Sequence, residues 1–535
     1  MNNYNKAAIP LIAIALVVFG LFLGIFLAKN KGGNLQSIRS AGNYNQKLTD
    51  IIDVIDQEYV DSVDKKILFE KAITSLLHDL DPHSNYIAAE DLAEMSESIQ
   101  GRFGGVGIRF TIYDDTLNVV NVVENSPAFR EGIQKFDQII VVDGEPIANV
   151  KLTNDKVRKM LKGEEGTPVD VTILRKGETM DKRIIRGSVP VESISAYYMI
   201  TKDIGYIRLG QFSMLSANEF YKAAFDLKNQ GMKKLLFDLR YNGGGVLGSA
   251  VSILETLLDK GTPIVSTKGK NSPERVIYAE GKPFLKDVEV AVLINSSSAS
   301  ASEIVAGAIQ DNDRGIILGR RSFGKGLVQQ DIGLKDGSNL RLTVSRYYTP
   351  TGRSIQKPYE GSYEEYLMDE MQRYETGELY EVDSTLMVDS LKYVTPKGKV
   401  VYGGGGIMPD IFIPMDTSGN SFYYRKLFYA NAFNEYAYYF ARFHDLDKYG
   451  SVQKFNREFK VVEPLLQSFY EYAEKNLKIV FNKEQAEMSK ELIASNLKAE
   501  IARQGWLELG AYYIYNQRDK EIKRAIEELN KMGNK

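Results

Sequence analysis

Serines and a glutamate stand together at the start of one predicted helix, in the stretch "INSSSASASEIVAGAIQDN" (residues 294–312). Ser300 followed three residues later by Glu303 is typical of a capping box, in which each side chain bonds to the backbone of the other residue. A serine nucleophile fits the same position, because the helix dipole and the free N–H of Ala301 would stabilise a developing oxyanion. One hydroxyl suffices for a cap, so the run of serines leaves both interpretations open.

A serine nucleophile needs a base, and the composition limits the choice. The chain has no cysteine and three histidines, His78, His83 and His444, which fall outside the predicted strand ends that carry the serine run. Thiol nucleophiles and thiolate zinc sites are therefore excluded. Lys325 stands between two glycines in "FGKGLVQQ", and a lysine acts as a base when its surroundings lower its pKa from about 10.4. A solvated loop lysine is the other interpretation.

An alternation of strands and helices would bring these residues together. Between Val191 and Pro414, the strands "IGYIRLGQF", "KKLLFDLRYNGGG" and "VEVAVLI" alternate with helical segments, which predicts a mainly parallel sheet. Sites in such sheets gather at the carboxyl ends of the strands. The glycine turn of "DLRYNGGG" and the serine run both follow strands, so we expect them to meet. Arg240 and Asn242 are predicted to shape the turn.

A change of period at Gly101 predicts a small β-domain, with "SPAFREGI" as a short helix and "DQIIVVDG" as a strand and turn. The segment resembles a PDZ domain, in which a loop before the second strand offers N–H groups to a peptide's terminal carboxylate and the peptide adds as a strand. One departure is visible, because many such domains have Gly-Asp where this chain has Phe136 and Asp137. The resemblance places the peptide-binding loop at Gly104, Gly105, Val106 and Gly107, with Ile108 starting the strand.

The two ends of the chain differ from its middle. Residues Ala7 to Ala28 carry no charge, and their length is close to the ~20 residues that cross a bilayer, which predicts an uncleaved signal anchor. Amphipathic helices are predicted to follow it. His78, Asp79, Asp81 and His83 suggest a metal site, but "DLDP" breaks the helix between the histidines, so a helix end and turn is the favoured interpretation.

Two further segments are predicted to be helical. The stretch from Lys357 to Val400 is insertion-like and strongly acidic; a lid, a docking surface and a solvated helix are all compatible with it, and the solvated helix is favoured. Beyond Pro414, tyrosine and phenylalanine recur at helical spacing, which is typical of a helical domain with an aromatic core.

Five motifs decide between these alternatives. "SASASEIVAGAIQD", "RSFGKGLVQQ", "DLRYNGGG", "YYTPTGRSIQ" and "GGGGIMPDI", together with the PDZ-like segment and "LDPHSNYI", resemble the carboxy-terminal processing peptidases, also called tail-specific proteases. The resemblance implies that Ser300 is the nucleophile, Lys325 the general base and Gln329 the residue that orients the lysine. It also implies an oxyanion hole made by the N–H of Ala301 and that of Gly244 or Gly245, and a reaction without metal or cofactor.

The resemblance predicts a multidomain α/β protein with a PDZ-like domain and a crotonase-like Ser-Lys peptidase core. The predicted segments are a signal anchor (1–30), an N-terminal helical region (34–98), the PDZ domain (99–188), the peptidase core (190–415, with the insertion at about 357–400) and a helical C-terminal domain (416–535).

The predicted function is endoproteolysis at unstructured, apolar C-terminal tails of proteins. We expect a single-pass inner-membrane protein with its catalytic body in the periplasm and self-association through the N- and C-terminal helical regions. The net charge of -3 gives no reason to expect nucleic-acid binding. Two rival functions are a membrane-anchored PDZ adaptor with an inactive protease-like domain and a crotonase-like acyl-transfer or hydratase enzyme, which would need a nucleotide-tail site and a carboxylate pair.

Overall fold

A computed structural model describes residues 44–360 and 362–532 of the chain, which divide in sequence into two compact units, with the boundary after Leu80. The smaller unit contains two helices, α1 (Tyr44–Glu58) and α2 (Lys65–His78). The side chain of Asp64 caps the start of α2 by accepting hydrogen bonds from the N–H groups of Lys66 and Ile67.

The larger unit begins with a short strand and a helix, β1 (Asn85–Ile87) and α3 (Ala89–Gln100). Strand β1 pairs with a strand more than two hundred residues later, Asn339–Tyr348, in the region of alternating strands and helices. These residues lie in the stretch predicted as an N-terminal helical region. The "LDPHSNYI" segment therefore contains a strand that pairs with a distant part of the chain. The short sequence "NYI" did not predict this strand.

A β-domain occupies residues 102–190 and has the order of elements that the sequence predicts. Its main sheet runs β3-β4-β5-β7-β8, with β6 paired to β5, while β2 and β9 form a separate ladder. Alternate apolar residues such as Leu117, Val119 and Ile173 fill the space between this sheet and the short helices. The elements are β2 (Arg102–Gly105), β3 (Ile108–Tyr113), β4 (Thr116–Val122), α4 (Pro127–Arg130), β5 (Gln138–Val142), β6 (Glu145–Pro146), α5 (Asn154–Leu161), β7 (Pro168–Arg175), β8 (Glu178–Ile185) and β9 (Gly187–Pro190).

The α/β region, residues 191–414, contains a six-stranded sheet in the order β10-β11-β12-β15-β16-β21. Strand β10 is antiparallel to β11, and the other neighbours are parallel. The central strands β11 and β15 are buried almost throughout and are mainly apolar, as expected of a parallel sheet covered on both faces. The elements up to β16 are β10 (Ile194–Met199), β11 (Ile204–Leu209), α6 (Ser216–Asn229), β12 (Lys234–Asp238), α7 (Leu247–Glu255), β13 (Pro263–Lys268), β14 (Arg275–Tyr278), β15 (Glu289–Ile294), α8 (Ala301–Asp311) and β16 (Ile316–Gly319).

A second, antiparallel sheet runs β1-β18-β13-β14, with β17 also paired to β18. The segment that follows was predicted to be an insertion and carries two short helices and a small hairpin. These elements are β17 (Leu327–Gly333), β18 (Asn339–Tyr348), α9 (Tyr363–Leu367), α10 (Asp369–Glu375), β19 (Lys392–Val394), β20 (Val400–Tyr402) and β21 (Ile411–Phe412).

The C-terminal region is helical, and its aromatic residues form a core of their own. Phe433 stacks on Phe469 with ring centroids 5.0 Å apart, and Phe455 lies at the centre of a similar group. The helix α16 is kinked at Trp506 and Leu507, where the backbone leaves helical geometry. The helices are α11 (Phe422–Tyr429), α12 (Ala432–Phe443), α13 (Val452–Glu458), α14 (Glu463–Leu477), α15 (Lys483–Met488), α16 (Lys490–Tyr515) and α17 (Lys520–Met532).

The predicted signal anchor, Ala7 to Ala28, lies outside the described residues. Among residues 44–360 and 362–532, no helix has both the length and the apolar content of a membrane span.

Candidate active site

Three loops converge at one edge of the parallel sheet. In register, Asp238 of β12 pairs with Leu293 of β15, and Ile294 of β15 pairs with Gly319 of β16. The glycine turn follows β12, the serine run follows β15 and the Lys325 loop follows β16. The carboxyl ends of these strands therefore bring the three predicted segments together, as the alternation of strands and helices indicates.

The serine run has a structural role on either side of Ser300. Ser298 donates its hydroxyl proton to the carbonyl of Leu239 (2.8 Å), and Ser302 donates to the carbonyl of Asn242 (2.8 Å). These bonds tie the run to the glycine turn beside it. Ser300 stands between them as the N-cap of α8, with a φ of 55° and a ψ of -112°. Such a backbone conformation is rare for a residue with a side chain and occurs most often at functional sites.

Gly244 presses against Ser300. A Cβ atom added at Gly244 would lie 2.8 Å from the Cβ of Ser300 and 2.9 Å from the nitrogen of Ala301. The N–H of Gly244 donates to Oδ1 of Asn242, whose Nδ2 in turn donates to the carbonyl of Leu209, both at 2.9 Å. Asn242 therefore shapes the turn, as predicted, and glycine is required because any side chain would fill the space in front of Ser300.

The Lys325 loop is packed tightly because two glycines flank the lysine. A Cβ at Gly324 would lie 3.0 Å from the Cβ of Lys357, and one at Gly326 would lie 2.9 Å from the nitrogen of Gln356. Lys325 itself is largely buried, and this burial lowers its pKa below the ordinary lysine value. The neighbouring charge of Arg341 lowers the pKa further, whereas Glu303 and Asp81 oppose the shift. A lysine with a lowered pKa is a better proton acceptor near neutral pH.

One buried carboxylate joins the serine loop to the lysine loop. Glu303 accepts hydrogen bonds from the N–H of Ser300 (2.8 Å) and the N–H of Lys325 (2.9 Å). It also accepts from the N–H of Gly324 (2.7 Å) and the hydroxyl of Ser322 (2.6 Å). Burial raises the pKa of Glu303, while these four bonds oppose that shift. The Glu303 half of the predicted capping box is formed by the bond from the Ser300 N–H, while the N–H of Glu303 donates to the carbonyl of Ser300 (2.9 Å). The same carboxylate also holds the second loop, which the local pattern did not indicate.

A buried tyrosine makes a second bridge between the same loops. The hydroxyl of Tyr347 lies 3.2 Å from the carbonyl oxygen of Ser300 and also contacts the carbonyl oxygen of Lys325. Tyr347 belongs to the "YYTPTGRSIQ" motif, and sequence reasoning gave it no role. Its phenol ring is buried, which raises its pKa well above the ordinary value and keeps it protonated as a donor.

Gln329 lies on β17, at an irregularity in the ladder with β18. Its side-chain nitrogen donates to the hydroxyl of Thr343 (3.3 Å), which donates to the carboxylate of Asp81 (3.0 Å). Within the described residues, its side chain makes no direct hydrogen bond to Lys325. The role of Gln329 in orienting the lysine stays a prediction.

The fold places His83 closer to this site than its sequence position indicated. Burial and then the positive charge of Lys325 lower the pKa of His83 to about 3, so the imidazole is neutral. Its Nε2 lies 2.8 Å from the hydroxyl of Tyr366. The carboxylate of Asp81 accepts a hydrogen bond from the hydroxyl of Ser84 (2.6 Å). No metal-binding group of His, Cys, Asp and Glu side chains occurs in the described part of the chain.

The predicted peptide-binding loop lies at the start of β3, the edge strand of the β-domain's main sheet. The carbonyls of Val106 and Gly107 accept from the N–H groups of Ala128 (2.8 Å) and Val123 (2.9 Å). The carbonyl of Gly104 accepts from the N–H of Gly163 (3.1 Å), and Gly105 ends β2. Because neighbouring residues of a strand direct their backbone groups to opposite sides, the bond of Gly107 to β4 leaves the backbone of Ile108 facing the open edge.

Comparison with known proteins shows which family the chain belongs to. The model of "Peptidase family S41" matches residues 203–361, that of "PDZ domain" matches residues 104–185, and a "Family of unknown function (DUF8443)" matches residues 423–507. The "Carboxy-terminal-processing protease" of Bartonella bacilliformis is 38% identical over 345 residues, which cover 62% of this chain and 78% of that protein.

Two further proteins are similar to this chain. The "Probable CtpA-like serine protease" of Staphylococcus aureus is 32% identical over 311 residues, which cover 58% of this chain and 62% of that protein. The solved structure of a "photosystem II D1 C-terminal processing protease" is 28% identical, covers 58% of this chain and 89% of its own, and has a TM-score of 0.33. The resemblance drawn from the motifs is confirmed, and the chain belongs to peptidase family S41 as a serine peptidase that carries a PDZ domain.

Proposed function

We propose that this protein is a membrane-anchored endopeptidase that cleaves the unstructured C-terminal tails of other proteins, with Ser300 as nucleophile and Lys325 as general base. The observation that carries the proposal is the shared carboxylate: Glu303 binds the backbone N–H of Ser300 at 2.8 Å and that of Lys325 at 2.9 Å. One rigid group thus fixes both loops, which is the preorganisation that a nucleophile and its base require.

The reaction follows from these roles. The neutral amine of Lys325 takes the hydroxyl proton of Ser300 as the serine oxygen attacks the carbonyl carbon of the scissile peptide bond. The lysine then gives this proton to the leaving nitrogen, which releases the C-terminal fragment and leaves an acyl-enzyme. A water molecule, deprotonated by the same lysine, attacks the ester, and Ser300 regains its proton.

The oxyanion is stabilised by backbone donors. Ala301 is the first residue of α8, so its N–H has no acceptor within the helix. Of the two glycines predicted as the second donor, Gly244 already donates to Asn242, so we assign this role to Gly245. Both donors belong to loops that the bonds around Ser298 and Ser302 hold together, which keeps them in place as charge develops.

The PDZ domain captures the tail before cleavage. Strand β3 has an open edge, and the loop of Gly104 to Gly107 precedes it, so a tail can add as an antiparallel strand with its carboxylate at the loop. The first strand residue, Ile108, is half-buried beside the domain core, which supports a pocket for an apolar terminal side chain.

The uncharged N-terminal stretch, Ala7 to Ala28, supports anchoring in the inner membrane with the catalytic body in the periplasm. The positively charged residues that flank this stretch do not fix the orientation, so it needs a direct test. Protease added to intact and to permeabilised spheroplasts distinguishes the two orientations. Degradation of the body in intact spheroplasts is expected, whereas protection until permeabilisation contradicts a periplasmic body.

Self-association through the helical regions is part of the proposal. The two N-terminal helices expose apolar side chains, among them Ile51, Ile67 and Leu76, which a pair of helices alone cannot bury. Mass measurement of the body from Lys29 onward tests the idea, because a mass equal to one chain at micromolar concentration contradicts it.

The experiment that tests the proposed activity uses an unstructured protein with an apolar C-terminal tail. After incubation with the body from Lys29 onward, mass spectrometry should detect fragments, and the variants Ser300→Ala and Lys325→Ala should produce none. Tail binding without cleavage by the native body would favour the adaptor alternative. Cleavage that persists in either variant would show that another residue does the chemistry.

A further inference from the structure

The insertion that the sequence predicts to be a solvated acidic helix is instead docked on the Lys325 loop. It carries two short helices, α9 and α10, and each buries one residue against the catalytic region: Tyr366 on α9 and Arg373 on α10. We call residues 357–360 and 362–378 the strap. The favoured interpretation was wrong because Tyr366 and Arg373 are buried against the catalytic region, although Tyr374 beside Arg373 is exposed.

Arg373 is the central contact of the strap. Its guanidinium donates to three successive carbonyls, those of Arg321 (3.2 Å), Ser322 (2.9 Å) and Phe323 (3.1 Å). The side chain is 3% exposed, and its Nε lies 2.9 Å from the carboxylate of Asp369 one helical turn earlier. The three carbonyls directly precede Gly324 and Lys325. The planar fork of arginine, with several fixed donors, suits a set of adjacent carbonyls that a lysine could not satisfy together.

The start of the strap holds the same loop from the other side. The N–H of Lys357 donates to the carbonyl of Gly324 (2.9 Å), and the side chain of Gln356, directly before the strap, accepts from the N–H of Gly326 (2.8 Å). The ammonium of Lys357 is paired with Asp369 (3.1 Å) and lies over the rings of Phe323 and Tyr366 (4.1 and 3.9 Å to the centroids). The backbone of the loop is thereby held at the carbonyl of Gly324 and the N–H of Gly326.

Two ties connect the strap to neighbouring parts of the site. Arg321, at the beginning of the Lys325 loop, makes two hydrogen bonds of 2.7 Å to the carboxylate of Glu378. Ser296, at the beginning of the serine run, donates to Glu370 of α10 at 2.8 Å. The strap thus contacts both of the loops that Glu303 joins from inside.

We propose that Arg373 is a positioning residue for the general base, and that the strap keeps the Lys325 loop in its working position against the Ser300 loop. The inference rests on the proposed role of Lys325. Glycines at 324 and 326 allow the loop many backbone conformations, so its position depends on external contacts. Without Arg373, three carbonyls lose their donor in a buried place, and the loop is expected to move toward water to recover it.

The test compares Arg373→Met with Arg373→Lys in the protein from Lys29 onward. Met371→Ala, on the exposed side of the same helix, is the matched control. We expect Arg373→Met to lower kcat on the order of 100-fold with KM nearly unchanged, since a displacement of about 1 Å can cost that much. Arg373→Lys should lose less, because it can still reach one carbonyl. The rising limb of the pH–rate profile should move to higher pH as the loosened lysine becomes more solvated.

A readout independent of activity completes the test. Hydrogen exchange at the amides of Gly324 and Lys325, which the Glu303 carboxylate protects in the native protein, should become faster in Arg373→Met and remain native in Met371→Ala. Native exchange at these amides together with an unchanged pH profile in a folded Arg373→Met would overturn the proposal. If Arg373→Met does not fold, Arg373→Lys decides by the same two measurements. If the native protein cleaves no tail although these amides are protected from exchange, the proposed protease function is contradicted. The contact between the strap and the Lys325 loop is not affected by that result.

Discussion

At the scale of single residues, Lys325 should impose a characteristic pH dependence. Its amine accepts a proton only when neutral, and burial lowers its pKa below the ordinary value. The rate of tail cleavage should therefore rise with pH through this lowered pKa and then level off. Initial rates measured from pH 5 to 10 check this, and a flat profile contradicts it.

Lys325→Arg is a sharp companion to this measurement. Arginine keeps the positive charge and much of the length, but it does not lose its proton in proteins. The variant should be inactive at every pH while Ser300 stays in place. Activity that recovers at alkaline pH in Lys325→Arg would mean that the amine is not the base.

Gly244 is expected to tolerate no side chain. In Gly244→Ala the new methyl group would lie 2.8 Å from the Cβ of Ser300, at a φ of 100° that an alanine rarely adopts. We expect kcat/KM to fall on the order of 100-fold or more, because the strained turn would displace Ser300 and the neighbouring Gly245 donor. Gly248→Ala is the control, because its Cβ meets open space. Equal activities of the two folded variants would show that the turn does not border the reacting atoms.

The residues that sequence reasoning found and missed differ in the range of their contacts. Ser300 and Lys325 were predictable because each stands in a short motif of its own. Glu303 was predicted only as a helix cap, since its bonds to Gly324 and Lys325 cross from one loop to another. Tyr347 gave no signal, because its role depends on two carbonyls brought together by strand pairing.

At the scale of elements, the open edge of β3 predicts that a bound tail pairs with this strand. The backbone N–H of Ile108 faces that edge, so Ile108→Pro removes one donor to the incoming strand. We expect tail-peptide affinity to fall about 10- to 100-fold, the value of a hydrogen bond near a charge. Ile108→Ala keeps the N–H and serves as the control in fluorescence anisotropy titrations. A peptide with an amidated C-terminus should bind weakly to both variants and to the native protein.

The turn at Phe136 shows how an element can depart from its family pattern. The sequence predicts a different turn because Phe136 and Asp137 replace the common Gly-Asp. The backbone of Phe136 nevertheless adopts a positive φ of 71°, a conformation that glycine takes at lower cost. Its ring packs on Tyr438 with centroids 5.8 Å apart, and Asp137 is held by Arg175 through bonds of 2.6 Å. Contacts from another domain thus compensate for the strain, which no local pattern reveals.

At the scale of the whole molecule, the C-terminal domain holds the PDZ domain and the catalytic sheet together. Tyr438 is fully buried and donates to Asn118 of the PDZ domain at 2.9 Å. On the other side, Asp519 pairs with Arg240 (2.8 Å) and Glu521 pairs with Arg320 (2.8 Å). Arg240 is thus a structural residue of the turn, as the sequence predicts. The aromatic spacing indicated a helical core but not which domains it would join.

Removing the Tyr438 side chain should weaken the contact between the C-terminal domain and the PDZ domain. Tyr438→Ala deletes a buried aromatic ring and its hydrogen bond, and we expect it to lower the free energy of unfolding by about 3–5 kcal/mol. Calorimetry should then resolve a separate PDZ transition that the native protein lacks. Tyr429→Ala, at a tyrosine of the same domain that is 83% exposed, is the control. A single, unshifted transition in Tyr438→Ala would show that the interface contributes little.

The contact between the C-terminal domain and the PDZ domain also has a consequence for the peptide fragments that cleavage produces. If these contacts hold the PDZ domain in one position, we expect a tail bound by its end to be cut at a fixed distance from that end. An extended chain advances about 3.3 Å per residue, and a constant span therefore corresponds to a constant number of residues. Substrates whose tails are lengthened by inert residues should yield a first fragment of unchanged length with a displaced cutting point. The cleavage site would then be set by its distance from the C-terminus rather than by the side chains around the peptide bond.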